Sequence, residues 1–506
     1  MEKPSLLKHC LLLVLALLHG GLAIGQTSKS SPRKQPNILL IMADDLTFRD
    51  IEPYGNTQVK TPNLSRLAKE GMTLDNMYSA TAMCAPNRQQ LYTGMFPVRN
   101  GAFPNHSQVY AGTKSVAHHL QAVGYNTALL GKKHYGNAES FPFTYLGGRD
   151  HDDGTGQDID LSLAENFIKG SKAKPYFLVV ASNQPHGPLN RGNAAAYPPA
   201  KIKVPADLVD TDATRKQLSL YFAEITYLDS LVGVCLDMVE RSGQKNNTVV
   251  MFASEHGSGF PFAKWTTYDS GLKAGFIVRW PGQIKPGTRT KAMTQYVDVV
   301  PTLVDIAGGN PSTVNTGRKD ALGNSGFDGT SFKKVLLGQT NTFRDYVYGV
   351  HTTRGVIQGS DSYPIRSVRS TKYLYINNLN AQARFQNVAT SGKMIESWSK
   401  TGKPEDAQRA EKYVSRPAEE LYDVEKDPFQ LTNLAGSPAL KNVQQNLKGQ
   451  LAAFMKQQGD LGLATEMKAF ERQPKKGMGE DEEEGAPAKG KKAGKKKAGA
   501  TSASQE

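Results

Sequence analysis

Between residues 36 and 256 the chain repeats one pattern, in which a short apolar run breaks off into charged or imidazole side chains. PNILLIM (36–42) is almost wholly apolar, as expected of a strand buried on both faces, and it leads into Asp44 and Asp45. An apolar run to Leu130 is followed by Lys132 and His134, YFLVVA by His186, and TVVMFAS by Glu255 and His256. The first helix between the runs is marked by Thr61 as cap, Pro62 in the first turn, Leu64, Leu67 and Ala68 as its stripe, and Gly71 as its stop. Strands alternating with helices predict an α/β fold with a large mixed, mainly parallel sheet flanked by helices. In such sheets ligands bind beyond the carboxyl ends of the strands, so the four polar clusters are predicted to share one rim.

The texture changes after about residue 340. YVYGV, SVRSTKYLYINN and ELYDVEKDP read as short antiparallel strands. ALKNVQQNLKGQLAAFMKQQ reads as an amphipathic helix with Leu440, Val443, Leu447 and Leu451 on one face. ELYDVEKDP lacks the ligand spacing of an EF-hand and is taken as structural. A single core rarely exceeds about 250–300 residues. The expected division is therefore a catalytic α/β domain over 37–340 and a smaller C-terminal antiparallel sheet-plus-helix domain over 341–470.

The two ends add location. MEKPSLLKHC, LLLVLALL and Ala23-Ile24-Gly25 form the cationic start, apolar core and cleavage site of a signal peptide over 1–25, followed by a linker over 26–36. The apolar run falls short of the roughly 20 residues a membrane span requires, so a secreted or periplasmic protein without a span is expected. Residues 471–506 combine an acidic block, a lysine-rich block and almost no apolar side chains, the composition of a disordered charged tail. Part of the net charge of +14 sits there and the rest is spread along the chain, so charge alone does not predict a nucleic-acid partner.

Removal of the signal takes Cys10 with it and leaves Cys84 and Cys235, too few for a disulfide framework. A single Cys84–Cys235 bridge is the simplest alternative. Cys235 shares a helical face with Leu231, Val232 and Val239 and reads as a buried small hydrophobe. Cys84 differs: Pro86 suits the first turn of a helix, and Arg88 follows one turn on and on the same side. Asp44, Asp45 and Glu255, with His256 beside them, offer the oxygens a hard cation needs. Lysines, histidines and an arginine around such a cation would make a pocket for a tetrahedral oxyanion. A thiolate nucleophile is the generic reading of Cys84, yet a thiol is a poor ligand for such a cation, and the mismatch asks for an oxygen nucleophile.

CAPNRQQLYTG resembles the type I sulfatase signature, Cys-x-Pro-x-Arg followed by Thr-Gly, in which the cysteine is oxidised enzymatically to formylglycine. The resemblance runs through NILLIMADD, TPNLSRLAKEG, GKKHYG, PHGP, SEHG, KWTTYDSGLKAGFIVRWPG, FDGTSF and ELYDVEKDPFQLTNLA, roughly residues 37–436. It implies an alkaline-phosphatase-like fold, hydrolysis of sulfate esters or N-sulfates, a sulfated oligo- or polysaccharide substrate, and maturation by a formylglycine-generating enzyme. GKKHYGNAESFPF and GFPFAKWTTYD look most like the branch containing heparan N-sulfatase.

By the same resemblance, Asp44, Asp45, Glu255 and His256 hold one calcium ion together with the modified Cys84. One hydroxyl of the formylglycine hydrate attacks sulfur, and loss of a proton from the other expels sulfate. Arg88 supports the nucleophile, His134 beside Lys132 serves as base or orients the hydrate, and His186 and Lys264 bind sulfate and help protonate the leaving group. Trp265 and Tyr268 read as packing residues. The chain departs from the family pattern at Glu255, where aspartate is usual, at Asn87, at Lys273, where arginine is frequent, and at Gln184, where an acid is expected of N-sulfatases. A phosphodiester or phosphonate monoester hydrolase of the same superfamily and an inactive sulfated-glycan-binding protein are the competing readings.

Overall fold

The computed structural model describes residues 35–149 and 158–473. The signal-peptide expectation and nearly all of the tail lie outside the described residues.

Strand β1 (Asn37–Ala43) is buried along its whole length because it lies inside the main sheet with neighbours on both edges. It pairs in parallel with β5 (Tyr176–Ala181) and with β6 (Thr248–Ser254). β3 (Asn126–Gly131) continues in parallel beyond β5, and β4 (Thr144–Gly147) closes that edge. On the other side, β7 (Lys273–Arg279) runs antiparallel to both β6 and β2 (Met72–Tyr78). β8 (Thr288–Thr290) and β9 (Thr294–Gln295) pair in parallel with β2. The order β4-β3-β5-β1-β6-β7-β2-β8 makes a mixed, mainly parallel sheet.

Successive side chains of a strand point to opposite faces. Ile38, Leu40 and Met42 accordingly enter one apolar layer with Leu91, Leu120 and Val300, whereas Leu39 and Ile41 enter another with Leu64, Leu67, Phe222 and Val232. Each such side chain, fully buried, contributes roughly 1.5–3 kcal/mol. The helix Pro62–Glu70 begins where its sequence predicts, but Thr61 does not cap it through its side chain. Thr61 Oγ1 instead accepts from Glu52 N (2.9 Å). The first-turn amides of Asn63 and Leu64 donate to the Asp229 carboxylate (3.0 and 2.8 Å), from the 30-residue helix Asp212–Arg241.

Strands β10 (Val347–His351), β11 (Ile365–Arg369), β12 (Tyr373–Asn378) and β13 (Glu419–Asp423) form a second, wholly antiparallel sheet in sequence order. The helix Lys441–Gln458 packs against it, burying Leu447, Leu451 and Phe454, with Leu440 and Val443 partly covered. Phe454 stacks on Tyr348 at 4.1 Å. The two sheets share apolar ground: Met83, Phe262, Trp265 and Tyr268 pack in one cluster with Ile365, Leu374, Trp398 and Tyr413. From Pro36 on, the described residues form one compact unit. Cys84 and Cys235 are both buried and both free thiols, so the bridge considered from the sequence is not formed. Among the described residues no helix is long and apolar enough to cross a membrane.

Candidate active site

The four polar clusters lie immediately beyond β1, β3, β5 and β6, four strands that are mutually parallel and adjacent. A cysteine-bearing helix, Cys84–Thr93, starts beside them, with Cys84 as its first residue and Met83 as its cap. The backbone here is held out of its ordinary range. Asp45 (φ 56°), His134 (φ 45°) and Trp265 (φ 63°) are left-handed without being glycine, at a cost on the order of 1–3 kcal/mol each. Gly257 has the opposite reason for its identity: a Cβ there would lie 1.9 Å from the Ser270 carbonyl oxygen.

Cys84, Asp44, Glu255 and His256 are wholly buried, and one donor atom from each lies within 4.8 Å of the others. Asp45, Cys84 and His186 make a second such group that shares the thiol. Three cations stand against the carboxylates. Lys132 Nζ donates to Asp44 Oδ2 (2.7 Å), and Lys264 Nζ donates to Asp45 Oδ2 (3.0 Å). Arg88 grips Glu255 with Nε to Oε1 (2.9 Å) and Nη2 to Oε2 (3.3 Å), while its Nη1 donates to the Lys132 carbonyl (3.1 Å). The Asn87 amide donates to the Glu255 carbonyl.

The electrostatics follow from burial and these pairs. Burial alone would raise Asp44, but Lys132 beside it, with His186 and Arg88, holds it well below the usual carboxylate range. Burial pushes the Cys84 thiol well above its ordinary value despite Lys132 and Lys264, so the unmodified side chain is a neutral thiol and a poor nucleophile. Burial also lowers His256 to about 4, leaving a neutral imidazole suited to ligation.

The arrangement passes the test for a hard cation. Asp44 Oδ1, Asp45 Oδ1, Asn87 Oδ1 and His256 Nε2 are all buried without a hydrogen-bond partner in the structure. Orphaned buried oxygens are costly unless a cation or water satisfies them. Oxygen-rich donors of this kind suit calcium or magnesium, and the Cys84 sulfur is the ill-matched member of the set.

The remaining sequence candidates stand around this group. His186 is part-exposed, with Nε2 3.8 Å from Asp45 Oδ2 and Nδ1 2.8 Å from the Gly187 carbonyl. His134 is buried, two residues beyond Lys132, with its Nε2 3.1 Å from His106 Nδ1. Trp265 and Tyr268 are packing residues, the latter donating to Glu420. Lys273 lies over the Phe48 and Tyr78 rings, and burial lowers it to about 8. Nothing in the sequence around His106 distinguished it: it is an isolated loop histidine, and only the fold brings it to His134. Asn87 was visible as a departure from the signature, but its contact with Glu255 was not.

Comparison with known proteins now bears on this geometry. The profile of the family described as "Sulfatase" matches residues 36–309, and that of the "N-sulphoglucosamine sulphohydrolase, C-terminal" family matches residues 254–386. An ulvan-active sulfatase of Formosa agariphila is 32% identical over 435 residues, covering 85% of this chain and 82% of the relative. The human N-sulphoglucosamine sulphohydrolase is 27% identical over 458 residues, covering 83% and 89%. A protein solved with its substrate D-glucosamine-2-N,6-O-disulfate shares the fold at a TM-score of 0.64 and 20% identity, covering 85% of this chain and 99% of that one.

Proposed function

The chain belongs to the sulfatase family and is a sulfuric ester hydrolase, and from that premise we propose that it removes sulfate from sulfated glycans, using formylglycine made from Cys84 beside a single calcium ion. The observation that carries the reading is the convergence of Asp44, Cys84, Glu255 and His256 within 4.8 Å, ringed by Lys132, Lys264 and Arg88. The names of the relatives, ulvan-active sulfatase and N-sulphoglucosamine sulphohydrolase, support a glycan substrate carrying O- or N-sulfate.

Calcium bound by Asp44, Asp45, Glu255, His256 and the oxygen of the modified residue would polarise a sulfate oxygen and balance charge at the nucleophile. Conversion of Cys84 replaces a buried neutral thiol by an oxygen function, which answers the ligand mismatch. Arg88, fixed by its fork on Glu255, holds positive charge next to position 84 whatever else is bound. Lys132 and Lys264 each hold an ammonium against a site carboxylate and would bring positive charge to a sulfate oxygen. His186, part-exposed and with Nδ1 against the Gly187 carbonyl, would protonate the leaving oxygen or nitrogen. His134, in contact with His106, would take a proton from the modified side chain. Export behind the N-terminal signal and maturation by a formylglycine-generating enzyme belong to the same proposal.

The test is a screen of defined sulfated oligosaccharides with enzyme produced alongside a formylglycine-generating enzyme, coupled to peptide mass analysis around Cys84. Sulfate release with an aldehyde at position 84 is expected. Full activity with an intact thiol overturns the nucleophile. Phosphonate or phosphodiester turnover above that on every sulfate overturns the substrate class.

A further inference from the structure

Away from the buried cluster around Cys84, a cavity of about 310 Å³ opens where the loop after the Cys84 helix meets the segment 459–472. Its lining carries five cations, Arg99, Arg318, Lys319, Lys468 and Arg472, against one carboxylate, Glu471. Arg99 is paired with Asp328, but among the described residues none of the other four is ion-paired, and the neighbouring acids are already engaged. Asp320 accepts from the amides of Leu322 and Asn324 and from the Asn324 side chain. Asp328 accepts from Arg99 (2.7 Å) and from the Phe96 amide (2.8 Å).

The cations are built in rather than scattered. Tyr110 lies between two guanidiniums, with the Arg318 carbon 4.3 Å and the Arg472 carbon 3.9 Å from its ring centre. Arg472 is fixed by donating to the carbonyls of Gly101 (3.0 Å) and Gln108 (2.7 Å). Buried donors also line the cavity without partners: Nε of Arg318, and Nε of Arg99, which is 4% exposed. Like charges held together this way repel unless an anion joins them, and Arg and Lys recognise sulfate as they do other tetrahedral oxyanions. Leu461 in the lining is exposed, as are Met467 and Phe470 of the same segment.

One loop joins the cavity to His134. His106, which touches His134, and Tyr110 stand on one loop, and four residues of chain span at most about 14 Å. A polymer long enough to reach both would gain from the second contact by raising its effective concentration at the first.

We propose that this cavity is an accessory binding site for a sulfated polysaccharide, holding sulfate groups of the chain other than the one being removed. The inference rests on the reading of the substrate as a sulfated glycan, but its binding arm requires no turnover. Full-length protein is run in affinity electrophoresis through gels containing dextran sulfate or unsulfated dextran. Lys319→Ala/Lys468→Ala, both exposed positions, is compared with Lys201→Ala/Lys285→Ala, which removes the same charge elsewhere on the surface.

The first pair should weaken retention by dextran sulfate about fivefold or more and the control pair less than about twofold, with no retention by dextran. Equal weakening by both pairs, or none by the first, overturns the site. In kinetics the first pair should raise KM for a sulfated polymer and leave kcat/KM for 4-nitrophenyl sulfate unchanged. A parallel fall on both substrates overturns the proposal as well. If the parent enzyme turns over no sulfate at all, the catalytic reading fails, while electrophoresis still decides the accessory site.

Discussion

Arg88 and Glu255 are fully buried and joined by two hydrogen bonds, an arrangement that is costly to break from one side. Arg88→Met should lower stability by about 3–5 kcal/mol in urea titrations, because it leaves Glu255 buried and uncompensated. Arg88→Lys keeps the charge but loses the fork, so it should recover part of the stability while turnover stays down by about a hundredfold or more. The orphaned oxygens of Asp44 and Asp45 make a second forecast at this scale. Chelation should lower the Tm of the parent protein, and added calcium should restore it through mass action on the folded state. Asp44→Asn/Asp45→Asn should lose this response. A Tm drop of equal size in the double variant would place the cation elsewhere.

The segments that follow β1 and β6 carry predictions of their own. The turn Phe48–Asp50, beyond β1, buries Asp50 among Arg49, Asp207 and Tyr221. Burial pushes the Asp50 carboxyl up to about 7, against Arg49 and with help from Asp207. Between the unfolded value of about 3.9 and 7 the folded state therefore binds more protons than the unfolded one, and stability falls as pH rises through that window. Asp50→Asn should match the parent near pH 4 and exceed it by about 2–4 kcal/mol at pH 8, read from denaturant midpoints. A constant difference across the range would contradict the shift. At the end of β6, Gly257→Ala drives a methyl into the Ser270 carbonyl. It should cost roughly 1–3 kcal/mol and reduce turnover, since the displaced backbone carries His256.

For the molecule as a whole, the two sheets differ in topology but share the cluster that joins Met83, Trp265 and Tyr268 to Leu374, Trp398 and Tyr413. A boundary near residue 340 therefore separates sheets without separating cores. Unfolding should be one cooperative transition, with tryptophan fluorescence and far-UV circular dichroism coincident. Leu451→Ala, in the helix over the small sheet, should shift that single midpoint by about 2–5 kcal/mol. Earlier melting of the antiparallel sheet alone would show two units.

Much of this was legible in the chain. Apolar runs that each end in charge fit strands buried on both faces of a parallel sheet, and a common direction for them puts Asp44, Lys132, His186 and Glu255 on one rim. Cys84 with Pro86 and Arg88 marked the helix start by local backbone chemistry, which needs no tertiary information. Contacts between residues far apart in the chain were not legible. Asp229 takes the capping work expected of Thr61 from 165 and 166 positions away, His106 reaches His134 through a loop with no pattern, and Tyr110 meets Arg318 and Arg472 across three separate segments. Periodicity and local propensity act over a few residues and so write themselves into sequence. Which distant side chains come to share a buried space is decided only when the layers pack.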